Sequence, residues 1–187
     1  MNSLNTIFIL VIAYVAVFLE AHVGFIRNTF GAQVDLLPAL MVFTALTSDI
    51  VTVVLLAILG GLFFDSLSLN TLGVSILPLF LIGFVIYRER ELLLREHPFA
   101  QFIMGAVASV LHPVMTLFLL MNDGNVPLLG WRSVWQLIVM AIGGGIAAPL
   151  FFKLFARVQN ALTYQPRIDA PFRADRQIKR GRSTLNS

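Results

Sequence analysis

Acidic side chains within apolar sequence are the groups of this chain that could perform chemistry. The acids in or beside the long apolar runs are Glu20, Asp35, Asp49, Asp65 and Asp123. A charged side chain at the centre of a bilayer costs about 2.5–3.5 kcal/mol on insertion scales, so an acid inside a span needs a partner or a function. Asp35 and Asp123 fall in polar connections and need no special role. Glu20 lies near the end of a span, where it can reach the lipid headgroups.

Asp49 and Asp65 bracket one apolar segment and are sixteen residues apart. At about 1.5 Å per residue, a continuous helix places them roughly 24 Å from each other. Two carboxylates at that distance cannot share a proton or flank one scissile bond, which excludes paired-acid catalysis within this helix. Two roles remain open for Asp65. The polar stretch DSLSLN (65–70) favours a turn or partner contact, and the alternative is a ligand for an ion or substrate.

His112 lies inside a later apolar run and is followed by Pro113, whose missing N–H frees a backbone carbonyl. No second His, Cys or acid occurs at metal-ligand spacing in the same run, so we predict a structural, hydrogen-bonded histidine. The chain has no cysteine and no HExxH, GxSxG, P-loop or GxGxxG pattern. The sequence therefore predicts no catalytic residue, metal site, cofactor or nucleic-acid partner.

The composition is typical of an integral membrane protein. Hydrophobic residues make up 58% of the 187 positions and charged residues 12%, and the mean hydropathy is +0.85. A soluble domain of this length needs more polar surface. The apolar runs are unbroken rather than alternating, which indicates helices, and a helix pairs its own backbone groups in hydrocarbon. We predict an all-α polytopic fold with a single transmembrane domain over residues 1–156.

Runs of about 20 apolar residues can cross a bilayer, and such runs define the predicted spans. The segment Leu36–Phe64 is long for one helix and is interrupted by TALTSD (44–49). It forms either one strongly tilted helix or two short passes that meet near Ser48 and Asp49, and we favour two passes. The predicted spans are then six: Leu4–His22, two within Leu36–Phe64, Thr71–Tyr87, Phe99–Met121 and Ser133–Phe155.

The distribution of Lys and Arg predicts the orientation. Arg88, Arg90 and Arg95 follow the fourth span, and the segment 157–187 after the sixth span has seven basic and two acidic side chains. Two spans separate these groups, so both lie on one side, which the positive-inside rule makes the cytoplasm. Both termini are then cytoplasmic. The segment 157–187 is predicted to be a disordered tail that contacts anionic lipids or an acidic partner, or that acts only as a topology signal.

Small residues mark the predicted packing surfaces. Gly61 precedes Asp65 by one turn, and a residue without Cβ lets another helix approach closely, which favours association in lipid. The stretch IGGGIAAP (142–149) has the same property. Packing within the bundle is the expected use of these surfaces, and an interface with another protein is the alternative. The candidate residues are Gly60, Gly61, Asp65, Gly73, Gly83, Gly143, Gly144, Ala147 and Ala148.

The segment ILGGLFFDSLSLNTLGVSILPLFLIGFVI (58–86) resembles the signature region of the MreD family, membrane subunits of the bacterial rod-shape elongation complex. That region has a Gly-rich span ending in an acid, a short polar turn, a Leu-Gly pair and a span with its own glycine. The matching positions are Gly60, Gly61, Asp65, Leu72, Gly73 and Gly83. The rest of the chain agrees with the family in its hydropathy layout.

The resemblance implies a non-enzymatic scaffold subunit of the bacterial inner membrane. Such a subunit binds MreC and works alongside MreB filaments, the RodA glycosyltransferase and the elongation transpeptidase. The family is also similar in fold to the six-helix substrate-binding subunits of energy-coupling-factor vitamin transporters. The alternative function is therefore a small-solute (vitamin-type) binding subunit of a transporter. That function needs polar or aromatic residues converging on a cavity, and the sequence offers only Asn70, Trp131 and Trp135 for it.

Overall fold

A computed structural model describes residues 3–22, 31–68, 71–91, 93, 97–122 and 130–162, and these residues form helices and connections without a strand. The all-α prediction is confirmed for this part of the chain. The helices are α1 Ser3–His22, α2 Leu37–Thr47, α3 Ile50–Leu67, α4 Ile76–Arg88, α5 Pro98–Asn122 and α6 Trp131–Leu162. Asn70, Asp123 and residues 163–187 lie outside the described residues, and most of the predicted tail lies with them.

Among the described residues, three helices are long and apolar enough to cross a membrane. They are α3 with 18 residues, α5 with 25, and the 28 residues Trp131–Val158 of α6. Large apolar side chains on their outer faces are exposed, including Val107 at 58% and Leu150 at 57%. By length and composition, these features indicate a helical membrane protein. The remaining apolar stretches are shorter, namely Asn5–Glu20, Leu37–Thr47 and Ile76–Arg88.

The long apolar segment is broken at Ser48 and Asp49, as the sequence predicts. The Ser48 N–H donates to the Thr44 carbonyl at 2.9 Å, and Ser48 itself is extended, which ends α2. The next helix runs back antiparallel to α2, because Leu37 at the start of α2 packs against Gly60 near the end of α3. Two antiparallel helices, not one tilted helix, therefore occupy this segment.

The helices alternate in direction and give the bundle two ends. At one end, the Thr6 and Thr52 hydroxyls lie 2.9 Å apart, and the Arg90 guanidinium donates to the Ser48 carbonyl at 3.3 Å. We call this the basic end. The opposite end holds residues 31–36, which precede α2 and which we call the strap, and the turn 71–75, which precedes α4. We call this the strap end.

α2 is the central helix of the bundle. Its residues from Leu37 to Leu46 are all buried, and it packs against α1, α4, α5 and α6. Near the basic end, Phe43 stacks on Phe155 of α6 with ring centroids 4.1 Å apart. A helix that is apolar on every side suits this fully enclosed position. The apolar sequence of α2 therefore forms a protein core rather than a lipid-facing surface.

Two local features adjust the predicted spans. α3 contains a π-helical turn, Leu56–Gly60, immediately before Gly61. Because a π-helical turn is wider than an α-helical turn, the side chains after it point in a different direction around the helix axis from those before it. α6 contains Pro149 and continues past Phe155 to Leu162. Residues 157–162, predicted as the start of a disordered tail, are thus helical.

Candidate functional site

Asp65 anchors the turn between α3 and α4. Its side chain is 1% exposed. Its Oδ2 accepts hydrogen bonds from the backbone N–H of Gly73 at 2.8 Å and of Ser75 at 3.1 Å, and its Oδ1 accepts one from the Ser75 hydroxyl at 2.5 Å. Gly73 has a φ of 93°, which side chains with a Cβ rarely adopt. Both carboxylate oxygens therefore stabilise the turn between α3 and α4 through hydrogen bonds.

The glycines around this turn lie at close contacts within the chain. A Cβ added to Gly61 would lie 3.1 Å from the backbone Cα and N of Ile76 in α4. A Cβ added to Gly83 would lie 2.6 Å from Met41 Sδ and 2.7 Å from Val53 Cγ1. At Gly61, α3 lies too close to α4 for a residue with a Cβ. At Gly83, α4 lies closer still to α2 and α3.

We expect Gly61→Leu to lower the melting temperature of the detergent-solubilised protein strongly. The new side chain would meet the α4 backbone, which cannot move aside as a flexible side chain would, and overpacking costs about 1–3 kcal/mol or more. Gly130→Leu is the matched control, because no atom of the described residues lies within 4 Å of a Cβ at Gly130. Equal melting temperatures for the two variants would contradict the close contact.

The second predicted glycine surface joins α6 to α5 and to the strap. A Cβ at Gly144 would overlap the Ser109 hydroxyl of α5, and one at Gly143 would lie 2.5 Å from Val34 Cγ1 of the strap. Ala147 and Ala148 are 7% and 0% exposed, in the same tightly packed region. In the described residues, these small residues pack within the chain.

A buried acid–imidazole pair connects the strap to α5. Asp35 Oδ2 lies 2.9 Å from His112 Nδ1, with the two side chains 1% and 3% exposed. Asp35 Oδ1 also accepts the N–H of Leu37 at 3.0 Å, at the start of α2. The ring of Phe64 packs edge-on to the imidazole with centroids 5.9 Å apart. His112 thus lies at ion-pair distance from an acid far away in the sequence, but within the described residues Asp35 Oδ2 makes no hydrogen bond, so the prediction of a hydrogen-bonded imidazole is not confirmed.

Further polar contacts hold the strap on both sides. The Gln136 side-chain amide of α6 pairs with the backbone of Gln33, donating to its carbonyl at 2.8 Å and accepting its N–H at 3.1 Å. On the other side, the N–H of Leu36 donates to Glu20 Oε2 of α1 at 3.4 Å. The strap is therefore bonded to α1, α5 and α6.

The predictions that Asp35 needs no special role and that Glu20 reaches the lipid headgroups are wrong. Asp35 is enclosed by the bundle, and Glu20 turns towards the strap rather than the headgroups, with its Oε1 atom buried. The position of an acid in or beside a polar connection does not show how deeply its side chain is buried, because the strap folds back between the helices. One signal was available, since a histidine inside a span implies a polar partner and the acids at the span ends are the candidates.

Glu20 and His112 both bring polar side chains to the strap, which carries Asp35. Within the described residues, Glu20 Oε1 and His112 Nε2 are buried without a hydrogen-bond partner. No group of His, Cys, Asp and Glu suited to a metal ion was found in that part of the chain. The aromatic residues nominated for a solute site, Trp131 and Trp135, lie instead on the first turns of α6, at 84% and 48% exposure.

An apolar groove lies between α3 and α4 beside the Asp65 turn. Its volume is about 380 Å³ and it is open to the surroundings of the protein. The lining residues are Val54, Ala57, Ile58, Gly73, Ile76, Leu77 and Phe80. Its position places a concave, apolar surface on the outside of the bundle.

Comparisons with protein-family models, curated proteins and solved structures gave no match. The described residues define a helical membrane protein with three helices long enough to span, an acid-anchored turn and a buried acid–imidazole cluster at the same end. Function is therefore inferred from these features and from the sequence resemblance of residues 58–86.

Proposed function

We propose that this chain is a non-enzymatic scaffold subunit of the bacterial rod-shape elongation machinery, of the MreD type. It would bind MreC and help couple cytoplasmic MreB filaments to periplasmic cell-wall synthesis by RodA and the elongation transpeptidase. The observation that carries this proposal is the resemblance of residues 58–86. The structure gives the resembling residues a common physical role, since Gly61, Asp65, Gly73 and Gly83 all shape one helical hairpin.

The outer face of this hairpin is where we place the partner. Of the seven residues that line the apolar groove, Ile58, Gly73, Ile76, Leu77 and Phe80 belong to the resembling segment. Small residues in the groove, Ala57 and Gly73, would let a second helix approach closely, and such packing drives helix association in lipid. One membrane helix of the MreC-type partner is the proposed occupant.

We further propose six passes through the inner membrane with both termini in the cytoplasm. Support comes from the alternating helix directions and from Arg88, Arg90 and Arg157, which all lie at the basic end. Arg132 lies at the strap end, where Asp35 and Asp65 are also found. The basic end then faces the cytoplasm under the positive-inside rule, and the tail is positioned to contact anionic lipids.

Leu77→Trp should reduce the recovery of the MreC-type partner with the tagged protein by about ten-fold, equivalent to ~1.4 kcal/mol of binding energy. Leu77 lines the groove and is 48% exposed, so a larger side chain obstructs the partner without disturbing the core. Val85→Trp is the matched control, on the same helix, 58% exposed and outside the groove lining. If both variants recover the partner equally, the groove is not part of the interface.

The whole proposal is tested by affinity purification of the tagged chain from its native membranes in mild detergent. Recovery of MreC with cell-wall elongation enzymes supports the scaffold. Recovery of an ATPase module together with a bound small molecule instead supports a small-solute binding subunit of a transporter. That second candidate is favoured by one observation, the convergence of Glu20, Asp35, His112 and Gln136 at the strap end. The scaffold is preferred because most of these polar groups bond to the chain itself.

A further inference from the structure

We propose that docking of the partner helix in the groove between α3 and α4 becomes stronger as the bilayer becomes thicker. The reason is that the two sides of the bundle differ in apolar height. The side formed by α1, α3 and α4 is short, and the side formed by α5 and α6 is tall. This inference rests on the proposed function for the six passes and for the partner, and it adds how the membrane regulates that surface.

The tall side reaches the full thickness of an ordinary bilayer. On α6, the stretch 133–152 between Arg132 and Lys153 has no charged residue and forms about 30 Å of helix. α5 has 25 residues without a charged side chain, which give about 37 Å. The hydrocarbon core is about 30 Å thick, so both helices can cross it upright.

The short side falls below that thickness. α4 has 13 residues, which give about 20 Å of helix. When the preceding turn is counted at the same rise, residues 71–87 reach about 25 Å. The apolar part of α1, Asn5–Glu20, gives about 24 Å, and the 18 residues of α3 give about 27 Å. Tilting would lower each of these heights further, so it does not remove the difference.

The missing height is at the strap end. Near the basic end the central helix meets α6, where Phe43 stacks on Phe155. At the strap end, Phe64 near the end of α3 packs on His112, which lies ten residues, or about 15 Å, before the end of α5. No residue of α6 before Gly144 is buried. α5 and α6 therefore continue past the point at which α3 ends.

A bilayer of constant thickness would cover polar groups on the short side. Ser66 at the end of α3 and Thr71 before α4 are both exposed at this level. A span that is too short is accommodated by local thinning of the bilayer or by association with another helix, and the cost grows with the mismatch. A partner helix in the groove displaces the strained lipid from the short side. Thicker bilayers should therefore favour its docking.

Local thinning is tested first on the chain alone, in nanodiscs of dioleoylphosphatidylcholine. The chain has no cysteine, so Thr71→Cys and Ile142→Cys each carry one thiol. Ile142 is 52% exposed on the tall side and adjoins Gly143, which contacts the strap, so the two positions have similar depth. A water-soluble maleimide should label Thr71→Cys about ten-fold faster than Ile142→Cys, because the bilayer is thinned beside Thr71 alone. Equal rates would overturn the proposal.

The dependence on thickness is then measured with the purified MreC-type partner. The nanodiscs contain dimyristoleoyl-, dioleoyl- or dierucoylphosphatidylcholine, whose acyl chains lengthen in that order. The dissociation constant should fall by about ten-fold from the shortest lipid to the longest. Equal affinity in all three lipids overturns this inference and leaves the proposed function intact. Absence of binding in every lipid contradicts the proposed partner and its docking here, while the labelling rates still decide whether the bilayer is thinned. Self-association of the chain in the thickest bilayer, without partner binding, would assign the short side to a second copy and overturn the choice of a partner helix.

A pair of variants shows whether apolar height is the cause. Ser66→Leu combined with Thr71→Leu replaces the exposed polar residues of the short side and raises its apolar height. This double variant should reduce the dependence on thickness to about three-fold or less. Asn122→Leu is the matched control, because it adds the same side chain at the exposed end of α5 on the tall side. The same dependence in the double variant and in the control would overturn the role of mismatch.

Discussion

Asp65→Leu is expected to prevent the protein from reaching a stable fold. The substitution would leave the buried N–H of Ser75 and the half-buried N–H of Gly73 without their acceptor, and a buried unpaired group costs about 1–3 kcal/mol. The Ser75 hydroxyl would lose its partner as well. The sum is comparable to the total stability of many proteins, about 5–15 kcal/mol. Thermal unfolding in detergent and the yield of monodisperse protein are the measurements.

Asp65→Asn should be markedly milder than Asp65→Leu. The amide oxygen can still accept a backbone N–H, and the Ser75 hydroxyl can turn to accept from the amide nitrogen. Charge-assisted hydrogen bonds contribute about 1.5–3 kcal/mol against about 0.5–1.5 kcal/mol for neutral ones, so some stability is still lost. Asp49→Leu is the matched control at the other end of α3, because Asp49 is exposed and its side chain does not cap the helix.

The pair of Asp65 variants also separates the two roles that the sequence leaves open. A turn anchor predicts graded loss, with asparagine intermediate between aspartate and leucine. An equally severe loss of complex formation in a well-folded Asp65→Asn protein would show that the charge itself is required. The ion-ligand role would then replace the turn role.

Gly144→Val is expected to separate α5 from α6, the second large effect. A Cβ at this position overlaps the Ser109 hydroxyl and lies 3.0 Å from the Gly105 carbonyl oxygen, so the two helices must move apart. Overpacking of this kind costs about 1–3 kcal/mol and occasionally more. Because Gly143 beside it contacts the strap through Val34, the displacement should also loosen the strap. The melting temperature measures the first consequence. The second is measured by the rate at which a water-soluble maleimide labels Ala32→Cys, because Ala32 of the strap is 2% exposed.

Two further variants make the Gly144 prediction specific. Gly130→Val adds the same side chain at a position with no neighbour within 4 Å in the part of the chain that the structure describes, and it should change neither measurement. Ser109→Gly combined with Gly144→Val removes the atoms that the new side chain meets first, so it should restore part of the lost stability. If the double variant is no more stable than Gly144→Val alone, the new side chain must clash with atoms of α5 other than those of Ser109.

The role of Asp65 shows which structural features can be predicted from residues that are close together in the sequence. Its predicted place at a helix end, followed by a turn, agrees with the structure because the residues that it bonds are only eight and ten positions away. The break at Ser48 and Asp49 was likewise predictable, since polar residues in an apolar run end a helix locally. The helical membrane class follows from unbroken apolar runs, because backbone groups in hydrocarbon must pair within their own segment.

Other features were decided only by the tertiary structure. Gln33 and Gln136 pair across 103 positions, and Asp35 meets His112 because the strap folds back between α1, α5 and α6. No local pattern encodes such a meeting, since each partner alone looks like a polar residue near a span. α2 gives the same lesson, as its apolar sequence is equally suitable for lipid and for a protein core. Whether lipid or protein surrounds α2 depends on how the other helices pack. Hydrophobic side chains require an apolar environment, but both lipid and a protein core provide one.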